Sequence, residues 1–294
     1  MKSAFVLCGI IIIFPHVRLL SYSKGLMLTQ EEIRLGYWIA NGWPATFLKP
    51  ITEVDEYQGQ EILSIAYARV DDSESKRKKR LKQWCDVLPG LKIRMLYFHA
   101  VHQDLFDAAT QIEGLEALST GSGRLKTIES IANCKTLKSL VIIGCPSVTG
   151  MVFLKLLPNL RMLVIENVKK AQDLRFISSI ITLEDFSICG SLWTIQKVND
   201  LWPLTELRNL QVLRLYSTRL LKDGLLPLHH LKSLVKFECS LYYTADEFKA
   251  LRDALPLLKY GTPIDFPESL SRKEFIKQVY GGHIGAGEDP VNVD

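Results

Sequence analysis

The hydrophobic positions of this chain repeat with a nearly constant period. The phrase L-x-x-L-x-(I/L), with apolar first, fourth and sixth residues, occurs at Leu137–Ile142 and again at Leu160–Ile165. Further copies begin at Ile93, Leu115, Leu183, Leu210 and Leu234, and Leu258 begins a broken copy. The steps between first positions are 22, 22, 23, 23, 27, 24 and 24 residues. Self-similarity at such a period indicates a repeat architecture.

Each repeat carries two apolar sets that one unit alone cannot bury. The alternation over positions four to six of the phrase is typical of a half-buried strand. A second set follows in each unit, for example Met151, Phe153, Leu154, Leu156 and Leu157, and in the next unit Leu174, Phe176, Ile177 and Ile180. Stacked neighbours can bury both sets, which predicts strands aligned in a parallel sheet.

The phrase and its period resemble those of the leucine-rich repeat family, whose repeats are about 20 to 29 residues long. The resemblance covers residues 91 to 262, with seven complete units and the broken one. It implies an α/β solenoid, a horseshoe with a parallel β-sheet on the concave face and helices or turns on the convex face. The family usually has Asn or Cys at position nine, whereas this chain has Gly123, Cys145, Val168, Ser191 and Thr218. We therefore expect an irregular solenoid in which the backbone groups of each turn find different hydrogen-bond partners.

The N-terminal residues 1–26 have two interpretations. An apolar run extends from Ala4 to Phe14, which is shorter than the ~20 residues that span a bilayer. It suits the core of a signal peptide, with Ser21-Tyr22-Ser23 as a cleavage site. Alternatively, the segment is a non-structural extension, because Met27 offers a second start directly before a predicted helix.

The remaining segments are predicted to cap the solenoid. Residues 28–90 form an N-terminal cap, or else a small separate domain, in which Thr29–Glu32 is a capping box that begins a helix. In the same region Ile62–Tyr67 fits the phrase loosely and predicts an additional strand before the first repeat. Thr244–Glu247 is a second capping box. Residues 263–282 form a C-terminal capping helix, and residues 283–294 form a disordered tail.

The composition is that of a globular protein, and one run of basic residues could bind a partner. With 47% hydrophobic and 23% charged residues, the 294-residue chain is globular, and its net charge of +4 does not decide for or against a nucleic-acid partner. The strongest charge run, Lys76–Lys82, suits a nuclear-localisation or nucleic-acid patch. The interpretation we favour is a helix face in solvent, because Leu81, Trp84, Cys85 and Leu88 follow at helical spacing and would pack inward.

The residues that could carry chemistry are scattered. The six cysteines include no C-x-x-C pair, and we expect most of them to be reduced core thiols, as in a cytoplasmic protein. The pairs His99/His102 and His229/His230 have no carboxylate or cysteine that completes a metal site. The glycine-rich segment 281–287 follows a helix and has no lysine, unlike a phosphate loop. The sequence predicts no enzyme active site, no metal and no cofactor.

The candidate site is the concave sheet face, where positions two, three and five of each phrase point outward. Val141, Met162 and Val164 are predicted to form an exposed apolar centre there. The predicted partner-binding residues are this centre, its charged rim and two positions further along, namely Tyr97, Lys138, Val141, Arg161, Met162, Val164, Glu184, Asp185 and Arg214. An apolar centre with a charged rim is typical of a protein-binding surface. The alternative is that β-branched residues merely suit a strand, or that the C-terminal tail covers them.

These observations predict a non-enzymatic scaffold in the cytoplasm that binds a protein or peptide on the concave face. One alternative is a specificity or adaptor subunit that delivers a catalytic partner, such as a ligase or a toxin, to its target. Another is a nucleic-acid-associated adaptor that uses residues 76–82, although the run lacks interleaved aromatic residues for base stacking. A signal peptide at residues 1–23 would instead make the protein secreted. The sequence predicts no stable membrane span.

Overall fold

The computed structural model describes residues 49–191, 194–240, 243–259 and 261. Several predicted segments lie outside the described residues: residues 1–26, the helix beginning at Thr29, the C-terminal capping helix and the tail. The glycine-rich segment 281–287 also lies outside them.

Twelve short strands lie in the described residues and carry the repeat. They are β1 Ile62–Ile65, β2 Met95–Phe98, β3 Ala100–His102, β4 Ala117–Ser119, β5 Ser122–Arg124, β6 Ser139–Ile143, β7 Met162–Glu166, β8 Asp185–Cys189, β9 Gln196–Val198, β10 Val212–Leu215, β11 Thr218–Leu220 and β12 Lys236–Cys239. Eight of them form one sheet in the order β1-β2-β4-β6-β7-β8-β10-β12, and every pair is parallel. Sheet order follows chain order, which confirms the predicted α/β solenoid with a parallel sheet.

Positions one, four and six of the phrase form the hydrophobic core. Leu160, Leu163 and Ile165 of one repeat have no accessible surface, and the equivalent residues of the other complete repeats join the same core cluster, except Thr120, which is buried but polar. Burial of each such side chain contributes about 1.5–3 kcal/mol. Because each strand pairs in register with its neighbours, the apolar rows are continuous through the stack.

The additional strand β1 forms in a different register from the predicted one. Ile62 pairs with Met95, so it occupies position three of the phrase and not position one. Leu63 and Ile65 then take the inward positions four and six and are buried. The prediction was two residues out because Ile62, which is exposed, is as apolar as the residues that the core requires.

The convex side consists of short 3₁₀ helices. Five of them stack on one another along the solenoid: Glu129–Asn133, Met151–Leu156, Arg175–Ser179, Trp202–Glu206 and Leu226–His230. Three shorter ones lie elsewhere, at Val54–Glu56, Leu88–Gly90 and Lys169–Gln172. Most of the predicted second apolar set packs inward, including Leu154 and Ile177, but Leu156 is exposed. A 3₁₀ turn places residues three apart on one side, so Leu154 and Leu157 face inward and Leu156 cannot.

The turns after the sheet strands differ from repeat to repeat, as predicted. Some form second parallel ladders, in which β3 pairs with β5 and β9 with β11. At position nine, a Cβ on Gly123 would lie 2.2 Å from the carbonyl oxygen of Val101, so glycine is required there. The thiol of Cys145 donates to the carbonyl of Ile143 at 3.4 Å, and the hydroxyl of Thr218 donates to that of Ile188 at 2.7 Å.

Three α-helices complete the described part: α1 Glu74–Val87, α2 Gln103–Ala109 and α3 Ala245–Ala254. Helix α3 begins at the predicted capping box, in which Thr244 and Glu247 bond reciprocally. After it, the amide of Lys259 donates to the carbonyl of Val235 at 3.0 Å, so the broken copy at Leu258 starts in register. No helix among the described residues is long and apolar enough to cross a bilayer.

Candidate binding surface on the concave sheet face

The nine predicted site residues lie on the concave face but differ in exposure. Positions three and five point away from the core, as the alternation requires. Lys138, Arg161, Val164 and Glu184 keep part of their surface accessible. The other five are buried: Tyr97, Val141, Met162, Asp185 and Arg214.

The apolar centre is therefore not the exposed patch that the sequence predicts. Met162 is 0% exposed and Val141 is 2% exposed, so the predicted exposure of these two residues is wrong. Each lies between the same-position side chains of two neighbouring strands; Met162, for example, lies between Ser139 and Asp185. Strands about 4.8 Å apart bring these side chains into contact and remove much of their solvent-accessible surface. Val164 is the member of the centre that a partner could touch.

Position two forms a row of ion pairs that runs across the repeats. The guanidinium of Arg94 lies 3.4 Å from Glu61 and 2.9 Å from Glu116, and the ammonium of Lys138 lies 3.1 Å from the other oxygen of Glu116. Burial acts to raise the pKa of Glu116, but the hydrogen bonds from Arg94 and Lys138 outweigh it and lower that pKa. These charges are held in place by their neighbours in the stack.

The row continues with a second pair, in which Arg161 binds Glu184. Lys138 and Arg161 therefore belong to different ion pairs although they precede adjacent strands. Two positively charged side chains are thus neighbours in the row. Val164 lies on β7, three residues after Arg161, which immediately precedes that strand. The accessible part of the predicted site thus comprises one partly exposed valine, two adjacent cations and one anion.

Further along the face lies a buried charge network centred on Arg214. Its guanidinium bonds to Asp185 at 2.6 Å and to Glu238 at 3.2 Å, and Glu238 also pairs with Lys236 at 3.0 Å. Burial acts to raise the pKa of Glu238, but the charges of Arg214 and Lys236 outweigh it and lower that pKa. The sequence placed Glu238 in the position-five row but did not include it in the site. The opposite charges of Arg214 and Glu238, both at position five of adjacent repeats, are the signal that could have indicated the network.

A third buried acid, Glu166, lies at position seven of its repeat. It lies in register with Ile143 on one side and Cys189 on the other. Its carboxyl makes no hydrogen bond or ion pair with the described part of the chain, and burial raises its pKa to about 7. The concave floor thus contains one charge-paired cluster and one carboxyl whose pKa burial raises to about 7.

The cysteines of the described residues lack the lowered pKa that a reactive nucleophile needs. A reactive cysteine needs a lowered pKa, whereas burial raises the pKa of Cys189 and of Cys134 to about 12 and that of Cys85 to about 11. All five cysteines within the described ranges are free thiols, and four of them are buried, as predicted for core residues. Within those ranges, no cluster of three or more His, Cys, Asp or Glu residues could hold a metal ion.

The basic run 76–82 lies on helix α1, and most of its charges are engaged within the chain. The predicted inward residues Trp84 and Leu88 are buried, but so is Arg80, which the sequence treated as part of the solvent face. Arg80 bonds to Asp72 at 2.6 Å, to Glu53 at 2.6 Å and to the carbonyl of Tyr67 at 2.8 Å.

The neighbours of Arg80 in the run also have partners. Lys76, Lys78 and Lys82 pair with Asp72, Glu74 and Asp86 at 3.4, 2.7 and 2.6 Å. The guanidinium of Arg77 donates to the carbonyls of Arg69 and Val70. A nucleic-acid patch would need cations that are available to phosphates, and this helix presents few of them.

We expect Arg80→Met to lower the melting temperature by several degrees, because Asp72 and Glu53 would lose the cation that they share. Lys79→Met is the matched control: Lys79 is exposed, in the same helix, and has no ion pair with the described residues. Thermal unfolding followed by circular dichroism measures both variants. Equal melting temperatures for the two variants would show that Arg80 does not anchor the cap.

Solved structures with a similar fold include two internalins of Listeria monocytogenes. The first matches at 18% identity and a TM-score of 0.43, over 63% of this chain and 48% of that chain, so this chain spans about half its length. Internalin C2 matches at 18% identity and a TM-score of 0.39, over 61% and 92% of the two chains. A plant peptide hormone receptor in complex with RGF2 matches at 18% identity and a TM-score of 0.37, over 50% and 24%. No protein-family model and no curated protein matches the sequence.

Proposed function

We propose that the protein is a non-enzymatic scaffold that binds a protein or peptide partner on its concave face. The observation that supports this most directly is the position-two row of ion pairs, together with the partly exposed Val164 three residues after Arg161. Its charges are held by neighbouring repeats before any partner arrives. Binding there would cost little side-chain ordering, and the fixed charge pattern would select for a complementary partner.

The contact centre in this proposal differs from the apolar patch predicted from the sequence. Met162 and Val141 have almost no accessible surface, so they act as the floor under the contact. The partner touches Val164 and the charged groups of Lys138, Arg161 and Glu184. The proposed setting is the cytoplasm, which suits the free thiols of the described residues.

The Val164→Glu variant of the full-length chain is expected to weaken partner binding by roughly tenfold or more, because a charge would replace the apolar contact at the centre of the surface. Val152→Glu is the matched control. Val152 is an exposed valine in the convex helix Met151–Leu156, so the same substitution is made on the opposite face. Quantitative capture of partners from lysate of the source cells is compared for the wild type and both variants, with thermal unfolding as the check on folding.

Loss of the same captured protein with Val164→Glu, but not with Val152→Glu, supports the concave site. Equal capture by all three forms would contradict it, and loss with Val152→Glu alone would move the site to the convex side. A catalytic activity that co-purifies with the wild type and that the isolated chain lacks would favour the adaptor-subunit form of this function.

A further inference from the structure

Basic residues recur along one edge of the solenoid, immediately after the sheet strands. In this edge β3 pairs with β5 and β9 pairs with β11, all in parallel. The residues at or near position ten of the repeats, taken in stacking order, include Arg124 and Lys126, then Lys169 and Lys170, then Lys197, and finally Arg219 and Lys222. We call these seven residues the basic strip. Aligning position ten across the repeats identifies Arg124, Lys169 and Arg219 from the sequence, whereas the equivalence of Lys197 to Arg219 needs the register of the strands.

The register places two of these cations side by side. Lys197 pairs with Arg219 across β9 and β11, and both side chains are exposed while their strand neighbours Gln196 and Thr218 are buried. Both therefore point outward from adjacent strands about 4.8 Å apart. Like charges directly opposite each other destabilise a sheet, so the pair costs the fold some stability on its own.

No acidic group within the described ranges neutralises the basic strip. All seven side chains are exposed, and none of them forms an ion pair with another described residue. Several acids near the strip in sequence have other partners: Asp173 binds Arg175 at 2.6 Å, and Asp223 accepts the indole N–H of Trp202 at 2.9 Å. Glu129 and Glu166 lie three residues from Lys126 and Lys169 and form no ion pair with a strip residue among the described residues. This contrasts with the run on α1, where most cations are paired.

Two exposed aliphatic side chains lie next to the basic strip in sequence. Ile195 immediately precedes β9 and Leu221 immediately follows β11, and each exposes almost half of its surface. A single-stranded nucleic acid would gain from aromatic groups on which bases stack, whereas the exposed apolar residues next to β9 and β11, Ile195 and Leu221, are aliphatic. Exposed aliphatic residues between lysines and arginines instead complement a segment that alternates carboxylates with apolar side chains.

We propose that the basic strip is a second docking surface, which binds an acidic, partly apolar peptide segment of a partner protein. Arg219 offers a planar fork that can bind a carboxylate through two parallel hydrogen bonds. The lysines on both sides of it supply further positive charge, while Ile195 and Leu221 contact the apolar residues of the segment. The surface lies at the edge of the solenoid and is separate from the concave contact centred on Val164, so either site can fail without the other.

The test uses the full-length chain and a fluorescent twelve-residue peptide with three repeats of glutamate, leucine, glutamate and glycine. Binding is followed by anisotropy at low and physiological salt. The variant Lys197→Glu, Arg219→Glu is expected to weaken peptide binding roughly tenfold or more. The matched control is Lys79→Glu, Lys155→Glu, which makes the same change in net charge at two exposed lysines away from the strip. The control is expected to bind the peptide as the wild type does.

Three results would overturn the proposal. The first is the absence of peptide binding by the wild-type chain. The second is an equal effect of the strip variant and the control variant, whether both lose binding or both keep it, because binding would then reflect net charge or another surface. The third is tighter, strip-dependent binding of a ten-nucleotide oligo-dT, which would assign the strip to nucleic acid. Peptide binding that depends on the strip, with weaker oligonucleotide binding, supports the acidic segment.

Discussion

Replacing Arg214 by methionine is expected to destabilise the fold by about 3–5 kcal/mol at neutral pH. The substitution removes the cation that bridges Asp185 and Glu238 on the concave face. Glu238 would keep Lys236, whereas Asp185 would be left buried and has no other ion pair within the described chain. The cost arises mainly from this uncompensated buried carboxylate and not from the lost attraction.

Urea denaturation measures the effect, and two further variants identify its cause. Arg161→Met removes the guanidinium of the partly exposed pair with Glu184, and such pairs contribute about 0–1 kcal/mol. Adding Asp185→Leu to Arg214→Met is expected to recover much of the lost stability, since the orphaned carboxylate disappears. A double variant no more stable than Arg214→Met would contradict this account, as would equal losses for Arg161→Met and Arg214→Met.

The second large effect concerns Glu166, whose pKa is raised to about 7 by burial. The unfolded chain loses this proton near the usual pKa of 4.5, so between pH 4.5 and about 7 the folded chain holds a proton that the unfolded chain has released. The contribution of Glu166 is therefore fully present below pH 4.5 and is lost as the pH rises through the folded pKa. The maximum slope is about 1.4 kcal/mol per pH unit, and the total is on the order of 3 kcal/mol.

Glu166→Gln keeps the shape of the side chain and removes the titration. The free energy of unfolding of the wild type relative to this variant is expected to fall by about 3 kcal/mol between pH 4.5 and pH 8. Glu113→Gln, at an exposed position, serves as the control and should leave the pH profile of the wild type unchanged. Parallel profiles for the wild type and Glu166→Gln would mean that the buried carboxyl does not titrate in this range.

Much of the architecture could be predicted because the repeat period is visible in three apolar positions of each phrase, namely positions one, four and six. Leu140 and Leu163, which are both at position four, pair directly across β6 and β7. The capping box at Thr244 likewise depends on residues three apart and forms as predicted. The register of β1 was not predictable in the same way. An exposed isoleucine there is as apolar as a buried one, and only pairing with β2 distinguishes them.

The candidate site was less predictable, because its properties depend on what each side chain meets across the sheet. Position in the phrase correctly assigned Val141, Met162 and Val164 to the concave face. It could not show that Met162 loses all of its accessible surface whereas Val164 keeps some, because both are apolar residues at outward positions. Nor could it show that Arg80, in the middle of a basic run, is buried between two acids that lie 8 and 27 residues away.

The sequence by itself determined the repeat, the parallel sheet and the inward face of each strand, because these depend on the spacing of apolar residues along one chain. The tertiary structure alone decided which charges are paired, which are buried and which are left free. Arg214 bonds to acids on the strands on either side, whereas Lys197 and Arg219 lie side by side and pair with no acid among the described residues. Ion pairing and solvation depend on distances between repeats of about 5 Å or less, and such distances exist only once the repeats have stacked.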